Sequence, residues 1–207
     1  MSTANTSVRI QLGSLLTVVG GLLMVTLWLI FTTLHGATSF NEDGSALGLS
    51  TLFWGMLLGS IPNLLIATGL ILRSSCLALT TGRLARLGYV LLLIGLIVPA
   101  MADLAIQALG PPFFVPVAAV GLIVLGSGVQ SDPQISKPSR YLLLFVGLVL
   151  GIAFAWALIP TALTDSISGY RIYGGFAHFA AGVGWVMFGV SVLRARFTTI
   201  EAPSRRL

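Results

Sequence analysis

Residues 88–110 read GYVLLLIGLIVPAMADLAIQALG, an apolar run that contains a single charged residue, Asp103. A helix needs about 20 apolar residues to cross a hydrocarbon core of ~30 Å, so this run predicts a membrane-spanning helix. An ionisable side chain inside such a helix is costly and has to be neutralised or paired. The run therefore predicts both a fold class and a polar position inside the membrane.

Composition extends this prediction to the whole chain. Of its 207 residues, 56% are hydrophobic and 8% are charged, and the mean hydropathy is +1.00. Soluble domains carry about 25% charged residues, so this chain has too few polar side chains to cover a water-facing surface. The lipid bilayer is the predicted main partner. The net charge of +5 does not indicate nucleic acid, because the few basic residues lie between apolar runs, as membrane topology requires.

Six apolar runs of suitable length predict an all-α, polytopic helical membrane bundle with six transmembrane helices. Together they form a single integral membrane domain over residues 1–207. Polar and turn-forming segments separate the runs. The fourth run is the shortest and contains Pro116. The predicted spans are 11–34, 49–72, 88–110, 113–130, 141–163 and 172–193.

The basic residues predict the orientation, because short loops rich in Lys and Arg stay on the cytoplasmic side. With both termini cytoplasmic, only Arg171 falls outside, in company with Glu42, Asp43 and Asp165. We therefore expect a multi-pass protein of the inner (plasma) membrane. The first span is longer than the apolar core of a signal peptide, so it is interpreted as a retained anchor. The predicted inner residues are Arg9, Arg73, Arg83, Arg86, Lys137, Arg140, Arg194, Arg196, Arg205 and Arg206.

Small residues at fourfold spacing predict where the helices pack, because glycine and alanine allow close backbone approach in lipid. We interpret these positions as intramolecular contacts, with a homo-oligomer or a membrane-protein partner as the alternative. Asn63 is expected to hydrogen-bond across to another helix, and Pro62, Pro99 and Pro160 to kink their helices. The predicted packing positions are Gly55, Gly59, Asn63 and Ala67 in the second span, Gly147 and Gly151 in the fifth, and Ala177 and Ala181 in the sixth.

Asp103 and His178 are predicted to form a polar intramembrane site, with Asn63 as a further member. Counted at 1.5 Å per residue, they lie roughly 10 Å and 9 Å below the outer surface. Three interpretations stay open. Asp103 is protonated or paired with His178 or Arg171 and ties helices together, or it lines an outward-facing cavity for protons, cations or a small solute. In the third, Asp103 and the histidines hold a metal or a haem.

No catalytic residue, metal site or cofactor is predicted. The chain has no Walker loop, dinucleotide fingerprint or zinc-protease motif. Its GSG at 126–128 matches the motif of intramembrane serine proteases only in part, because Leu125 stands where that motif has glycine. Cys76 and the two histidines, His35 and His178, show no ligand spacing. The only lysine, Lys137, lies in a predicted loop, which excludes a Schiff base within the bundle.

Two surface features are predicted. The arginines of the loop 73–88 and of the tail 194–207 are expected to contact anionic headgroups, with docking of an acidic partner as the alternative. Aromatic residues near the outer ends of the spans are expected to form an interfacial belt. They are Trp28, Trp54, Phe113, Phe114, Trp156, Tyr170 and Tyr173.

For function, these patterns favour a non-enzymatic accessory, assembly or structural membrane subunit, whose small-residue faces contact other helices. The alternative is a small transporter or channel for protons, cations or a small solute, which would use the outward-facing polar site.

Overall fold

A computed structural model describes residues 3–34, 45–46, 48–74, 82–106, 114–131, 135–157 and 175–200. These residues form six helices, and each coincides with one of the predicted apolar runs. The all-helical prediction is confirmed. The helices are α1 (Thr3–Leu34), α2 (Thr51–Gly55, the π-helical turn Met56–Ser60, and Ile61–Leu72), α3 (Arg83–Ile106), α4 (Val115–Gly128), α5 (Lys137–Ala157) and α6 (the π-helical turn Gly175–Ala180, then Ala181–Ile200).

Five of these helices are long and apolar enough to cross a membrane. The exception is α4, whose 14 residues extend about 21 Å at 1.5 Å per residue, less than the ~30 Å hydrocarbon core. Several helices begin earlier than predicted, because their hydrogen bonding continues into polar residues beyond the apolar run. Thus α3 includes Arg83 and Arg86, and α5 includes Lys137 and Arg140. The predicted ends at 107–110 and 158–163 and the start at 172–174 lie outside the described residues.

A short β-hairpin precedes α2 and was not predicted. Ser45–Ala46 (β1) pairs antiparallel with Leu49–Ser50 (β2). Gly48, in the turn, has a φ of 74°, which glycine adopts without steric cost. Ser50 then caps α2, because its Oγ accepts a hydrogen bond from the Phe53 N–H at 3.2 Å. Strands this short leave no periodic sequence signal.

The six helices pack as a closed ring in chain order, each against its sequence neighbours, with α6 returning to α1. Contacts at both ends of each pair show that neighbours run antiparallel. For example, a β-carbon on Gly21 would lie 2.7 Å from the Gly182 carbonyl oxygen, and one on Gly189 would lie 2.9 Å from that of Ser14. We call the end where α1 begins and α6 ends the terminal end of the bundle, and the opposite end the far end.

The inside of the ring is one hydrophobic core with contributions from all six helices. Its fully buried side chains are large, including Trp28, Trp185, Phe188 and Leu122. The outside carries exposed apolar side chains of similar size, which suits a lipid environment. Examples are Leu15, Met101, Ile152 and Met187, on α1, α3, α5 and α6. Several long apolar helices with a filled core and an apolar exterior are compatible with a multi-pass membrane protein.

The wide turn in α2 has a local cause. Pro62 has no N–H, and in a regular α-helix its ring would clash with the carbonyl four residues earlier, that of Leu58. In the structure the Ile61 N–H bonds to the Met56 carbonyl, five residues back, so the turn is opened by one residue. Proline is therefore accommodated within a continuous helix. Pro99 likewise lies inside α3.

Candidate functional site

The far end of the bundle holds a stacked pair of aromatic rings, Trp28 of α1 and His178 of α6. Their ring centroids lie 4.1 Å apart and their planes differ by 4°. Trp28 is 1% exposed, and His178 lies in the π-helical turn Gly175–Ala180, beside the fully buried Ala177. π-Helical turns are rare in proteins, and a large share of those that do occur lie at functional sites. The sequence drew attention to His178 but gave no indication of its ring partner.

Asp103 lies near the same end, on α3, and is 6% exposed. One turn earlier on α3, the Ala100 carbonyl accepts a hydrogen bond of 2.8 Å from the Ser60 hydroxyl. Ser60 ends the π-helical turn of α2 and is fully buried. Asp103 thus directly follows the point where α3 is hydrogen-bonded to the irregular part of α2. Asp103 is thus buried, and its part in a polar intramembrane site stays a prediction.

The pairing of Asp103 with His178 stays a prediction. Among the described residues, α3 packs mainly against α2 and α4, whereas α6 packs against α1 and α5. The two residues therefore belong to helices that do not share an extensive interface there. Arg171, the other predicted partner of Asp103, and His35 both lie outside the described residues. The described residues contain no group of three or more His, Cys, Asp or Glu side chains suited to a metal ion.

Asn63 does not use its amide N–H as predicted. Its Nδ2 donates to the Gly59 carbonyl oxygen at 2.8 Å, one turn back in the same helix and not on a neighbour. The Thr17 hydroxyl bonds to the Gly13 carbonyl in the same way, and the Gln130 amide to that of Gly126. A short polar side chain reaches the carbonyl four residues back at little cost, so it is satisfied before a second helix is needed.

The predicted packing positions are mostly inside the bundle. A β-carbon on Gly147 would lie 3.0 Å from the Ala119 carbonyl oxygen of α4, whereas one on Gly151 would meet its nearest neighbour, the Ala119 methyl carbon, at 3.8 Å. Gly147 is thus at a close helix contact and Gly151 at an ordinary one. The other predicted positions that are buried are Gly55, Gly59, Ala67, Ala177 and Ala181.

The closest approach of α1 to α2 uses a pair that the sequence reasoning missed. A β-carbon on Gly13 would lie 2.6 Å from the Gly69 carbonyl oxygen, and one on Gly69 would lie 2.5 Å from that of Gly13. The two backbones touch at this point. The signal was present in α1, where Gly13, Thr17 and Gly20 follow each other at spacings of four and three residues and share one helix face.

Arg73, at the terminal end, is a second residue whose role the sequence reasoning did not foresee. It was expected at the headgroups, but it is only 2% exposed. Its guanidinium carbon lies 4.5 Å from the centre of the Phe188 ring of α6. Its side chain also lies where a β-carbon on Gly13 would be, with Cγ 2.8 Å from that position. Arg73 therefore packs between α2, α1 and α6, since the glycine leaves room for its aliphatic part.

A chain of hydroxyl groups joins α5 to α6 near Arg73. Ser139 is fully buried, and its Oγ lies 2.8 Å from the Ser136 Oγ and 2.6 Å from the Ser191 Oγ. The Ser191 hydroxyl donates to the Phe188 carbonyl at 2.8 Å. On the same side of the bundle, the Tyr89 hydroxyl donates to the Leu70 carbonyl at 3.2 Å and links α3 to α2.

Buried polar side chains occur in both halves of the bundle among the described residues. Ser14, Thr17, Arg73 and Ser139 lie in the terminal half, opposite Asp103.

The aromatic belt is incomplete. Trp28 and Trp54 are buried in the core, whereas Trp156 is exposed as predicted. A tryptophan near a helix end can face inward or outward, and helix packing decides which. Phe113, Tyr170 and Tyr173 lie outside the described residues.

Comparison of the chain with protein-family models, with curated proteins and with solved structures finds no match.

Proposed function

We propose that this chain is a non-enzymatic membrane protein that serves as an accessory, assembly or structural subunit. The observation that supports it is the filled interior, where large side chains from all six helices form one core. Several polar side chains, such as Thr17, Asn63 and Gln130, bond to carbonyls of their own helices. Side chains engaged in this way offer few polar groups to a solute.

The proposed placement is an inner (plasma) membrane, with six crossings and both termini cytoplasmic. Two observations support it. The antiparallel ring puts both ends of the helical region on one side, and the basic residues Arg9, Arg83, Lys137 and Arg194 lie at that same end. Cytoplasmic loops carry this excess of cations.

Cysteine labelling tests the orientation. In a Cys76→Ser background, Glu42→Cys is expected to react with an impermeant maleimide from the outside, and Lys137→Cys only after the membrane is opened. The reverse pattern, or equal labelling of both, would contradict the proposed topology.

A small transporter or channel is the second proposed function, and a specific observation favours it. Two π-helical turns occur in the described residues, one leading to Ser60 beside the Asp103 turn of α3, and the other holding His178 against Trp28. Irregular helical turns next to buried ionisable residues are typical of ion and solute pathways.

Flux measurements separate the two functions. Purified protein in vesicles is compared with protein-free vesicles for proton and monovalent-cation flux, alongside Asp103→Asn and His178→Ala. Ser127→Ala, at an exposed position of α4, serves as the control. A subunit gives the flux of empty vesicles in every case. Flux in the wild type and the control that is lost in Asp103→Asn would replace the subunit proposal with the transporter.

Photocrosslinking tests the subunit role directly. A photoreactive amino acid is placed at one lipid-facing position on each of four helices: Leu15, Met101, Ile152 and Met187. After irradiation in the native membrane, a subunit is expected to give a protein adduct of one discrete mass from one or two of these faces and lipid adducts from the others. Lipid adducts from all four faces would contradict the proposal. A mass of twice the chain would identify a homo-oligomer.

A further inference from the structure

The structure divides the basic residues of the terminal end into two groups. Arg73 and Arg140 are the less exposed ones. Arg73 is buried against Phe188, and Arg140 donates from Nε to the Ile135 carbonyl at 2.9 Å and from Nη1 to that of Gln130. The second group is exposed on four helices, and we call it the cationic rim. It consists of Arg9 on α1, Arg83 and Arg86 on α3, Lys137 on α5 and Arg194 on α6.

The first turn of α3 carries two of the five cations of this rim, Arg83 and Arg86. Ala85 is fully buried against α4, where a β-carbon on Gly128 would lie 2.8 Å from its Cα. This contact fixes the rotation of the helix. It leaves Arg83 and Arg86 exposed next to Leu84 and Leu87, which are 52% and 53% exposed.

The same combination of a cation and an exposed apolar side chain recurs around the rim. On α1, Arg9 lies between the exposed Val8 and Leu12. On α5, the exposed Lys137 and Tyr141 are four residues apart and share a helix face. This combination suits the boundary between headgroups and acyl chains. The apolar side chains can enter the acyl region while the cation stays among the headgroups.

We propose that the cationic rim is a binding surface for anionic phospholipid headgroups, centred on Arg83 and Arg86. The exposed leucines favour a lipid over an acidic soluble protein, since such a protein would leave them in water. Charge complementarity agrees, because the described residues of this end contain no acidic side chain; Asp132 and Glu201 are the acids that the sequence places nearby. The proposal requires that the chain lies in a bilayer, and it is independent of a subunit or transport role.

Native mass spectrometry tests the proposal on the full chain. The protein, in a nonionic detergent, is titrated with dioleoyl phosphatidylglycerol or with dioleoyl phosphatidylcholine, and the retained lipids are counted. Each cation at an anionic surface contributes about fivefold to binding. The wild type is therefore expected to prefer phosphatidylglycerol by roughly tenfold or more, and Arg83→Gln/Arg86→Gln to lose most of that preference. Higher salt is expected to weaken it, because the Debye length shortens.

Two controls and one substitute variant make the result decisive. Arg83→Lys/Arg86→Lys keeps the charges and is expected to retain the preference. Arg140→Gln removes a cation that is bonded to carbonyls, and it is expected to lower thermal stability without changing the lipid ratio. Should the double glutamine variant fail to fold, Arg83→Gln alone is expected to reduce the preference by about fivefold. Equal lipid ratios for the wild type and the folded glutamine variants, or a loss of preference in Arg140→Gln alone, would overturn the proposal.

Discussion

At the scale of single residues, glycine positions decide how closely the helices approach. Gly88 of α3 faces the backbone of α4, and a β-carbon there would lie 2.7 Å from the Leu125 Cα. A β-carbon on Gly151 of α5 would lie 3.8 Å from its nearest neighbour, the Ala119 methyl carbon. Both glycines are helical and both lie in apolar runs, and the fourfold spacing marked Gly151 rather than Gly88 as a packing position. Their surroundings predict opposite effects of one substitution.

We expect Gly88→Ala to destabilise the bundle by about 1–3 kcal/mol, because two helix backbones must separate to admit the methyl group. Gly151→Ala is the matched variant. It is expected to be neutral or to stabilise by up to about 1 kcal/mol, since alanine favours the helix and space is available. Thermal unfolding in detergent measures both. Equal effects of the two substitutions would contradict the packing described.

Arg73 gives a second prediction at this scale. Arg73→Gln is expected to destabilise the protein by about 1–2 kcal/mol, because the cation lies over the Phe188 ring and its aliphatic part fills the space beside Gly13. Arg83→Gln removes an exposed charge and is expected to change stability by less than about 0.5 kcal/mol in nonionic detergent. Unfolding in increasing denaturant compares them. An unchanged midpoint for Arg73→Gln would show that its burial contributes nothing.

At the scale of helices, specific polar contacts join neighbours in the described part of the chain. Ser60 joins α2 to α3, Tyr89 joins α3 to α2 at the other end, and Ser139 joins α5 to α6. The sequence predicted the helices from their apolar runs. It did not predict these links, because a serine in an apolar helix bonds equally well to its own backbone, as Ser14 does to the Ile10 carbonyl.

A double-mutant cycle on Ser139→Ala and Ser191→Ala tests the link between α5 and α6. The 2.6 Å contact between the hydroxyl oxygens predicts a coupling energy of about 0.6 kcal/mol, and at most about 1.7 kcal/mol. Ser60→Ala combined with Ser191→Ala is the control, and these two should be additive because they lie on non-neighbouring helices. Equal coupling in both cycles would refute a direct hydrogen bond.

At the scale of the whole molecule, the return of α6 to α1 closes the ring. The contact is continuous, from Gly21 beside Gly182 near the middle to Ser14 beside Gly189 near the terminal end. An order of helices along the chain does not require closure, since a six-helix chain can also pack as two layers. Closure depends on two distinct faces of α1, one with Gly13 toward α2 and the other with Gly21 toward α6.

Disulfide crosslinking tests the closure. A β-carbon on Gly189 would lie 2.5 Å from a methyl carbon of Val18, so Val18→Cys/Gly189→Cys in a Cys76→Ser background is expected to form a disulfide on mild oxidation. Val19 is exposed on the adjacent position of α1, and Val19→Cys/Gly189→Cys is expected to stay reduced. Gel mobility and free-thiol counts report the outcome. Crosslinking of the second pair in preference to the first would exclude this packing of α6.

The sequence by itself determined the helical class and the approximate position of each helix, because a helix that shields its backbone from lipid requires a long apolar run. Only the tertiary structure decided which glycines touch, that Trp28 faces inward onto His178, and that Arg73 is buried while Arg83 and Arg86 are exposed. The sequence does not show which side of an apolar helix faces inward, because the residues on all its sides are apolar. Which face is covered depends on the neighbouring helix.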